Sequence, residues 1–246
     1  MDAIRTRIQI CGEVIVELDG ERVESSLPGR QGRWLFAYLV IHASRSVPRP
    51  ELIEAVWPTG PPEAADTSLS ALLSRLRRVL GGRVDRGSSV RLDLSDASVD
   101  LDEAEEAIHR AESAVVQHRW ERAWASSQVA LFTARRGFLP GDDAPWIAEV
   151  RVRLEQLHLR SLECYGEAGL GLGGTELAAA REAGRVLVER EPLRESGHRL
   201  LMRALAAEGN PAEALRAYDH LCAVLRDELG VSPSTATRAL YDELVR

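Results

Sequence analysis

The chain has 246 residues, enough for two domains that each bury their own core, and its formal net charge is −7. All 31 basic residues are arginine, a bias that fits a GC-rich genome, and arginine is also the better bidentate ligand for guanine and phosphate. No apolar run approaches the ~20 residues of a membrane span, Met1-Asp2-Ala3-Ile4-Arg5 lacks the apolar stretch of a signal peptide, and Cys11, Cys164 and Cys222 are scattered and odd in number. A soluble cytoplasmic protein with buried thiols is expected, and a membrane protein or a secreted disulfide scaffold is excluded.

Ile8, Ile10, Val14, Val16 and Leu18 alternate with polar residues around Cys11-Gly12, and Asp19-Gly20 supplies a turn. This pattern predicts a small antiparallel sheet. Trp34, Leu35, Tyr38 and Leu39 stand at helical spacing, predicting a helix from Arg30 to Ala43. A second is expected from about Pro50 to Trp57, ended by Pro58, Pro61 and Pro62.

The most informative stretch is the helix predicted at 63–80. At about 100° per residue, Leu69, Leu72, Leu73, Leu76, Val79 and Leu80 form one apolar stripe. The opposite face carries Thr67, Ser70, Ala71, Ser74, Arg75 and Arg78, with Arg77 on the flank. Small residues there permit close approach to a surface, and arginines at the C-terminal end can reach phosphates or a guanine edge in a major groove. Gly81-Gly82 stops the helix, and 83–94 reads as a hairpin bearing Arg83, Arg86 and Arg91. Residues 67–91 hold six arginines against one acid, Asp85, so a compact basic stretch sits in an acidic chain. Residues 1–94 carry a net +1 and residues 95–246 a net −8. Local charge, rather than the whole-chain balance, is what phosphate binding requires. The order of strands, three helices and hairpin is that of a winged helix-turn-helix, and it points to DNA.

From about Leu101 the pattern is wholly helical, with helices expected near 101–117, 119–134, 145–170, 175–190, 193–207, 211–228 and 233–245. Asn210-Pro211 and Ser232-Pro233 place a capping residue before proline, and Gly230 closes the helix between them. Small residues such as Ala123, Ala130, Ala178, Ala214 and Ala217 at contact positions suggest tetratricopeptide-like stacking, with a generic helical bundle as the alternative. The Gly169-Leu170-Gly171-Leu172-Gly173-Gly174 run follows a helix rather than a strand, so it reads as an interhelical turn and not a nucleotide loop. The six histidines show no metal spacing, Asp142-Asp143 reads as a helix start, and Trp34, Trp57, Trp120, Trp124 and Trp146 are expected to pack in cores. No catalytic constellation is present, so no enzyme, cofactor or metal is expected.

These residues resemble the Streptomyces antibiotic regulatory protein (SARP) type of bacterial transcription factor along essentially the whole chain. Arg49-Pro50-Glu51-Leu52-Ile53-Glu54-Ala55-Val56-Trp57-Pro58 and Ser74-Arg75-Leu76-Arg77-Arg78-Val79-Leu80 look like its OmpR-like winged helix. Trp146 with Glu149-Val150-Arg151-Val152-Arg153-Leu154, then Glu191-Pro192-Leu193-Arg194-Glu195, Leu200-Leu201-Met202-Arg203-Ala204-Leu205 and Asp227-Glu228-Leu229-Gly230-Val231-Ser232-Pro233, look like its bacterial transcriptional activation domain. The resemblance implies a mostly α fold: a winged-helix domain at 1–94 and an all-α tetratricopeptide-like domain at 95–246. It makes 63–80 the recognition helix, with Thr67, Ser70, Ser74 and Arg75 nearest the bases and Arg77 and Arg78 as base or phosphate ligands. Arg86, Ser88 and Arg91 fall on the wing, where the family commonly has Gly-Tyr before the arginine and this chain has Ser89-Val90. It further implies an activator that binds double-stranded DNA at promoter direct repeats and contacts RNA polymerase, including its sigma subunit, as a possible homodimer away from membranes. Larger members add an ATPase domain, and no P-loop occurs here, so the chain resembles a small member or a piece of a longer one. The alternative is a helical scaffold or ligand-sensing protein that uses its winged helix for protein contacts.

Overall fold

The computed structural model describes residues 6–246, so the segment read as lacking a signal peptide, Met1–Arg5, lies outside the described residues. The chain forms two compact units. One gathers the residues up to Glu103 together with Arg136–Leu154, and the other holds Ala104–Arg135 and Glu155–Arg246.

The first unit opens with β1 (Thr6–Gln9), β2 (Ile15–Leu18) and β3 (Glu21–Arg22). Asp19, with φ 50, and Gly20, with φ 88, make the expected turn. Helix α1 (Gly29–Ile41), strand β4 (Val47–Pro48), helix α2 (Arg49–Val56) and helix α3 (Ala65–Leu80) follow, then β5 (Ser89–Val90) and β6 (Ala97–Val99). The sheet runs β3-β2-β1-β6. β1 and β2 are antiparallel with Ile8 opposite Val16, whereas β6 joins β1 in parallel with Val99 beside Ile8. The sheet is therefore mixed rather than wholly antiparallel. Three residues are too few for β6 to display an alternation, and its partner lies some ninety positions back, so the sequence pattern holds no trace of it.

Helices α1, α2 and α3 pack on one another. Tyr38 of α1, buried, donates to the Glu51 carboxylate of α2 at 2.7 Å, and Arg45 pairs with the same carboxylate. Burial first, then that carboxylate, push the Tyr38 hydroxyl up to about 12. The segment after Arg135 completes this unit. Gly12 N–H donates to the Gly137 carbonyl at 2.7 Å, and Cys11 bridges Phe138. Phe138 is 1% exposed. Arg151 donates to the carbonyls of Phe138, Leu139 and Asp142 at 3.0, 2.6 and 2.7 Å. Asp142, read as a helix start, instead pairs with Arg30 at 2.8 Å.

Seven helices follow β6, most of their residues within the second unit. Helix α4 (Asp100–Val116) and helix α5 (Trp120–Arg135) are followed by the long α6 (Pro145–Leu172), then α7 (Leu177–Arg190), α8 (Glu195–Ala207), α9 (Pro211–Leu229) and α10 (Thr235–Leu244). α7 packs on α8, α8 on α9 and α9 on α10. Small residues make the close contacts: a Cβ on Gly184 would sit 2.8 Å from the Leu201 backbone, and one on Gly197 2.9 Å from Leu187. Leu131, Leu159, Leu162, Ala183, Leu187 and Leu200 form one apolar cluster here. Trp124 stacks on Tyr165 at 4.1 Å.

Two expected borders move. α6 runs through Gly169 and Gly171, and only Gly173 (φ 72) and Gly174 (φ 60) make the turn. The glycines inside the helix serve close packing, since a Cβ on Gly171 would lie 2.2 Å from the Trp120 ring. α10 starts at Thr235 rather than near Pro233. The Glu195 carboxylate at the head of α8 accepts from the Ser234 N–H at 3.0 Å and from its hydroxyl at 2.6 Å, so an acid from another helix holds this start. Among the described residues no helix is long and apolar enough to cross a membrane.

Candidate nucleic-acid interface

The segregation of α3 is what its sequence dictates. Leu69, Leu73, Leu76 and Leu80 are buried, with the first three at 0% exposure, while Thr67, Ser70, Ser74, Arg75 and Arg78 are exposed. A helix with such a divided surface fixes its rotation by burying its leucines, so the polar face must point outward. Gly81, with φ 65, adopts a backbone that side-chain-bearing residues avoid and ends the helix.

The wing then folds back under three apolar anchors: Val84, Val90 and Leu92 are each at most 3% exposed. Val84 bridges Leu92, Asp93 N–H donates to the Arg83 carbonyl at 2.7 Å, and Asp85 N–H donates to the Arg91 carbonyl at 3.0 Å. Only a bridge forms within the expected hairpin of 83–94, and its one strand, β5, pairs with β4 through Val90 and Val47. Val90, in the place where the resemblance favours tyrosine, is spent as a core anchor.

The three wing arginines separate in role. Arg83 pairs with Asp96, and Arg91 donates to the Ala43 carbonyl at 3.2 Å, although it stays exposed. Arg86 is exposed and, among the described residues, has no acidic partner. Arg75 and Arg78 stand likewise. Ser88 is exposed in the wing loop.

Between the C-terminal end of α3 and the wing lies a groove of about 930 Å³, lined by Arg49, Ser74, Arg77, Arg78 and Arg86 and by the Gly81-Gly82 turn. Among the described residues Asp85 is its only acid. The groove thus brings together Ser74, Arg77, Arg78 and Arg86, while Thr67, Ser70, Arg75, Ser88 and Arg91 lie outside its lining. Arg77 is half-buried and donates to the carbonyls of Val84 at 3.4 Å and Asp85 at 2.5 Å, so it clamps the wing to the helix. Burial first, then the charges of Arg86 and Arg49, lower its guanidinium below the ordinary value, though not enough to discharge an arginine. Repulsion among cations held this close is relieved by an anion.

Arg49 is a groove residue that the sequence reading did not place at the site. At the start of α2 it reaches α3, pairing with Asp66 at 2.9 Å and donating to the Ser70 hydroxyl at 2.8 Å. Ser70 in turn donates to the Asp66 carbonyl at 2.8 Å. Its place beside the Pro50-Glu51-Leu52 motif was visible, but its reach across to α3 required the fold.

The fold and this groove define a winged-helix regulator that carries an additional helical module. The chain belongs to the bacterial transcriptional activator domain family, whose model matches residues 99–245, and within it to the SARP type. It is similar to the regulatory protein AfsR of Streptomyces coelicolor, at 31% identity over 98% of this chain and 24% of AfsR. It is also similar to the regulatory protein DnrI of Streptomyces peucetius, at 27% identity over 98% of this chain and 92% of DnrI. A solved structure of Mycobacterium tuberculosis EmbR, in complex with a low-affinity phosphopeptide, matches with a TM-score of 0.83 at 25% identity, covering 98% of this chain and 65% of EmbR. The chain therefore spans about a quarter of AfsR and under two thirds of EmbR.

Proposed function

We propose that this chain is a DNA-binding transcriptional activator of the cytoplasm, in which residues 1–94 read direct repeats at a promoter and residues 95–246 contact RNA polymerase, including its sigma subunit. The reading rests on one observation: Arg75, Arg78 and Arg86 stand exposed around one face of α3 and the wing and, among the described residues, have no acidic partners. Thr67, Ser70, Ser74 and Arg75 face base edges in the major groove, Arg78 and Arg86 bind flanking phosphates, and Ser88 and Arg91 lie along the backbone beside the wing. Arg77 contributes indirectly, by holding the wing in place. Two protomers on adjacent repeats would form the active complex.

Footprinting on the DNA upstream of the chain's own coding region tests this. Two protected tracts in the same orientation, one or more helical turns apart, are expected. Absence of any protected tract, with binding that ignores sequence, contradicts the reading and favours the scaffold alternative.

A further inference from the structure

We infer that the turn between α4 and α5 carries a binding site for a small phosphate-bearing ligand. A cavity of about 390 Å³ opens there, lined by His109, Arg110, Ser113 and Gln117 from α4 and by Arg119 and Arg122 from the turn and the first turn of α5. The α4 residues recur at three- and four-residue spacing, so one helical face presents them all. Among the described residues, Arg119 and Arg122 have no acidic partner. Arg110 has one, a long contact of 3.3 Å to the exposed Glu106. Glu112, the next acid along α4, is engaged by Arg160 at 2.7 and 2.8 Å, and among the described residues no acid lines the cavity. Unpaired arginines therefore gather in the half of the chain where acids otherwise outnumber bases.

Neutral donors complete the set. Gln117 donates to the Ser113 hydroxyl at 3.0 Å, which leaves the hydroxyl proton available to a ligand oxygen. α5 begins at Trp120, so the N–H groups of its first turn, which have no partner inside the helix, open in the same turn at the positive end of the helix dipole. His118 holds this turn in the left-handed region, with φ 54, a conformation that costs energy outside glycine. The volume lies near the lower end of small-molecule sites, which run from roughly 300 to 1,000 Å³. It suits a phosphate with a modest organic group attached. Fork-shaped guanidinium groups match the phosphate oxygens in pairs.

The probe is inorganic pyrophosphate, titrated calorimetrically into the full chain at constant ionic strength. The Arg78→Ala/Arg86→Ala variant removes competition from the winged-helix groove and should keep one saturable site. In that background Arg119→Glu/Arg122→Glu should weaken binding at least tenfold. The single Arg122→Gln change, too mild to threaten folding, should weaken it several-fold. Equal affinity in all of these proteins overturns the proposal, as does the lack of any saturable site. It is also overturned if the Arg119/Arg122 changes reduce DNA affinity and leave pyrophosphate binding unmoved.

Discussion

Arg75, Arg77 and Arg78 lie within four positions of one another, yet the fold assigns them three different surroundings. Arg75 is exposed on the outer face of α3, Arg78 lines the groove, and Arg77 spends its donors on wing carbonyls. Replacing Arg75 by alanine should cost about 1–3 kcal/mol on the preferred site and relax base preference at one position. Replacing Arg77 should instead lower affinity on every sequence alike and make the wing backbone exchange amide protons faster, because the clamp between helix and wing is lost. Anisotropy with a panel of singly altered sites, read beside hydrogen exchange of residues 84–92, separates the two. An Arg77→Ala protein with altered base preference and an unchanged wing would contradict this division. The polar face of α3 was legible in the sequence because leucine periodicity fixes it. The engagement of Arg77, Arg83 and Arg91 was not, since all three partners are backbone carbonyls or an acid displaced by thirteen or more positions in two of the three cases. A side chain's partner depends on where the chain returns, and periodicity carries no such information.

At the scale of elements, two contacts explain motifs that the sequence displays without a reason. Trp146 at the head of α6 donates its indole N–H to the Ala55 carbonyl of α2 at 3.0 Å and meets Tyr38 edge-on at 5.1 Å and Phe138 at 5.9 Å. Trp146→Ala should destabilise the unit that holds the winged helix by about 3 kcal/mol, the low end for truncated aromatics because this ring is only half-buried. Urea unfolding followed at the remaining tryptophans measures it, and an unchanged midpoint would mean that the contact is idle. Glu195 likewise links the Glu191-to-Glu195 motif to the Gly230-Val231-Ser232-Pro233 motif by holding the start of α10. Partial burial works against its charge, but hydrogen bonds from Ser234 and Thr237 prevail and keep the carboxyl below its ordinary value. A lowered carboxylate stabilises the fold at pH values above its unfolded pKa, about 4.3, and that contribution disappears as pH falls through the folded value. Glu195→Gln should therefore cost about 1 kcal/mol near pH 7 and less as the pH is taken down to 3, as melting curves at the two values would show. A loss of equal size at both would contradict a charge-based cap. The helices themselves were readable to within two residues at most borders. α10 was placed early because its start depends on an acid in α8, and α6 was ended early because its glycines look like a turn until Trp120 is seen packed against them.

For the whole molecule, the acidic net charge and the basic winged helix coexist because charge is partitioned along the chain, a feature the sequence shows openly. What it conceals is that the compact unit holding the winged helix also takes in Arg136–Leu154, across an intervening helical segment. Phe138 and Asp142 find Cys11 and Arg30 there, more than a hundred residues away, and local patterning cannot reveal a pairing of that range. The proposed interface requires Arg78 of α3 and Arg86 of the wing, which line one groove, to neutralise DNA phosphates. Each phosphate contact releases a counterion, so the logarithm of affinity falls with the logarithm of salt concentration by about 0.9 per contact. The decisive measurement is that slope for the full chain on a promoter fragment, between about 50 and 200 mM salt, beside Arg78→Ala, Arg86→Ala and the double variant. Each single change should flatten the slope by about 0.9 and the pair by about 1.8. Parallel lines for all four proteins would show that these arginines do not touch the DNA backbone.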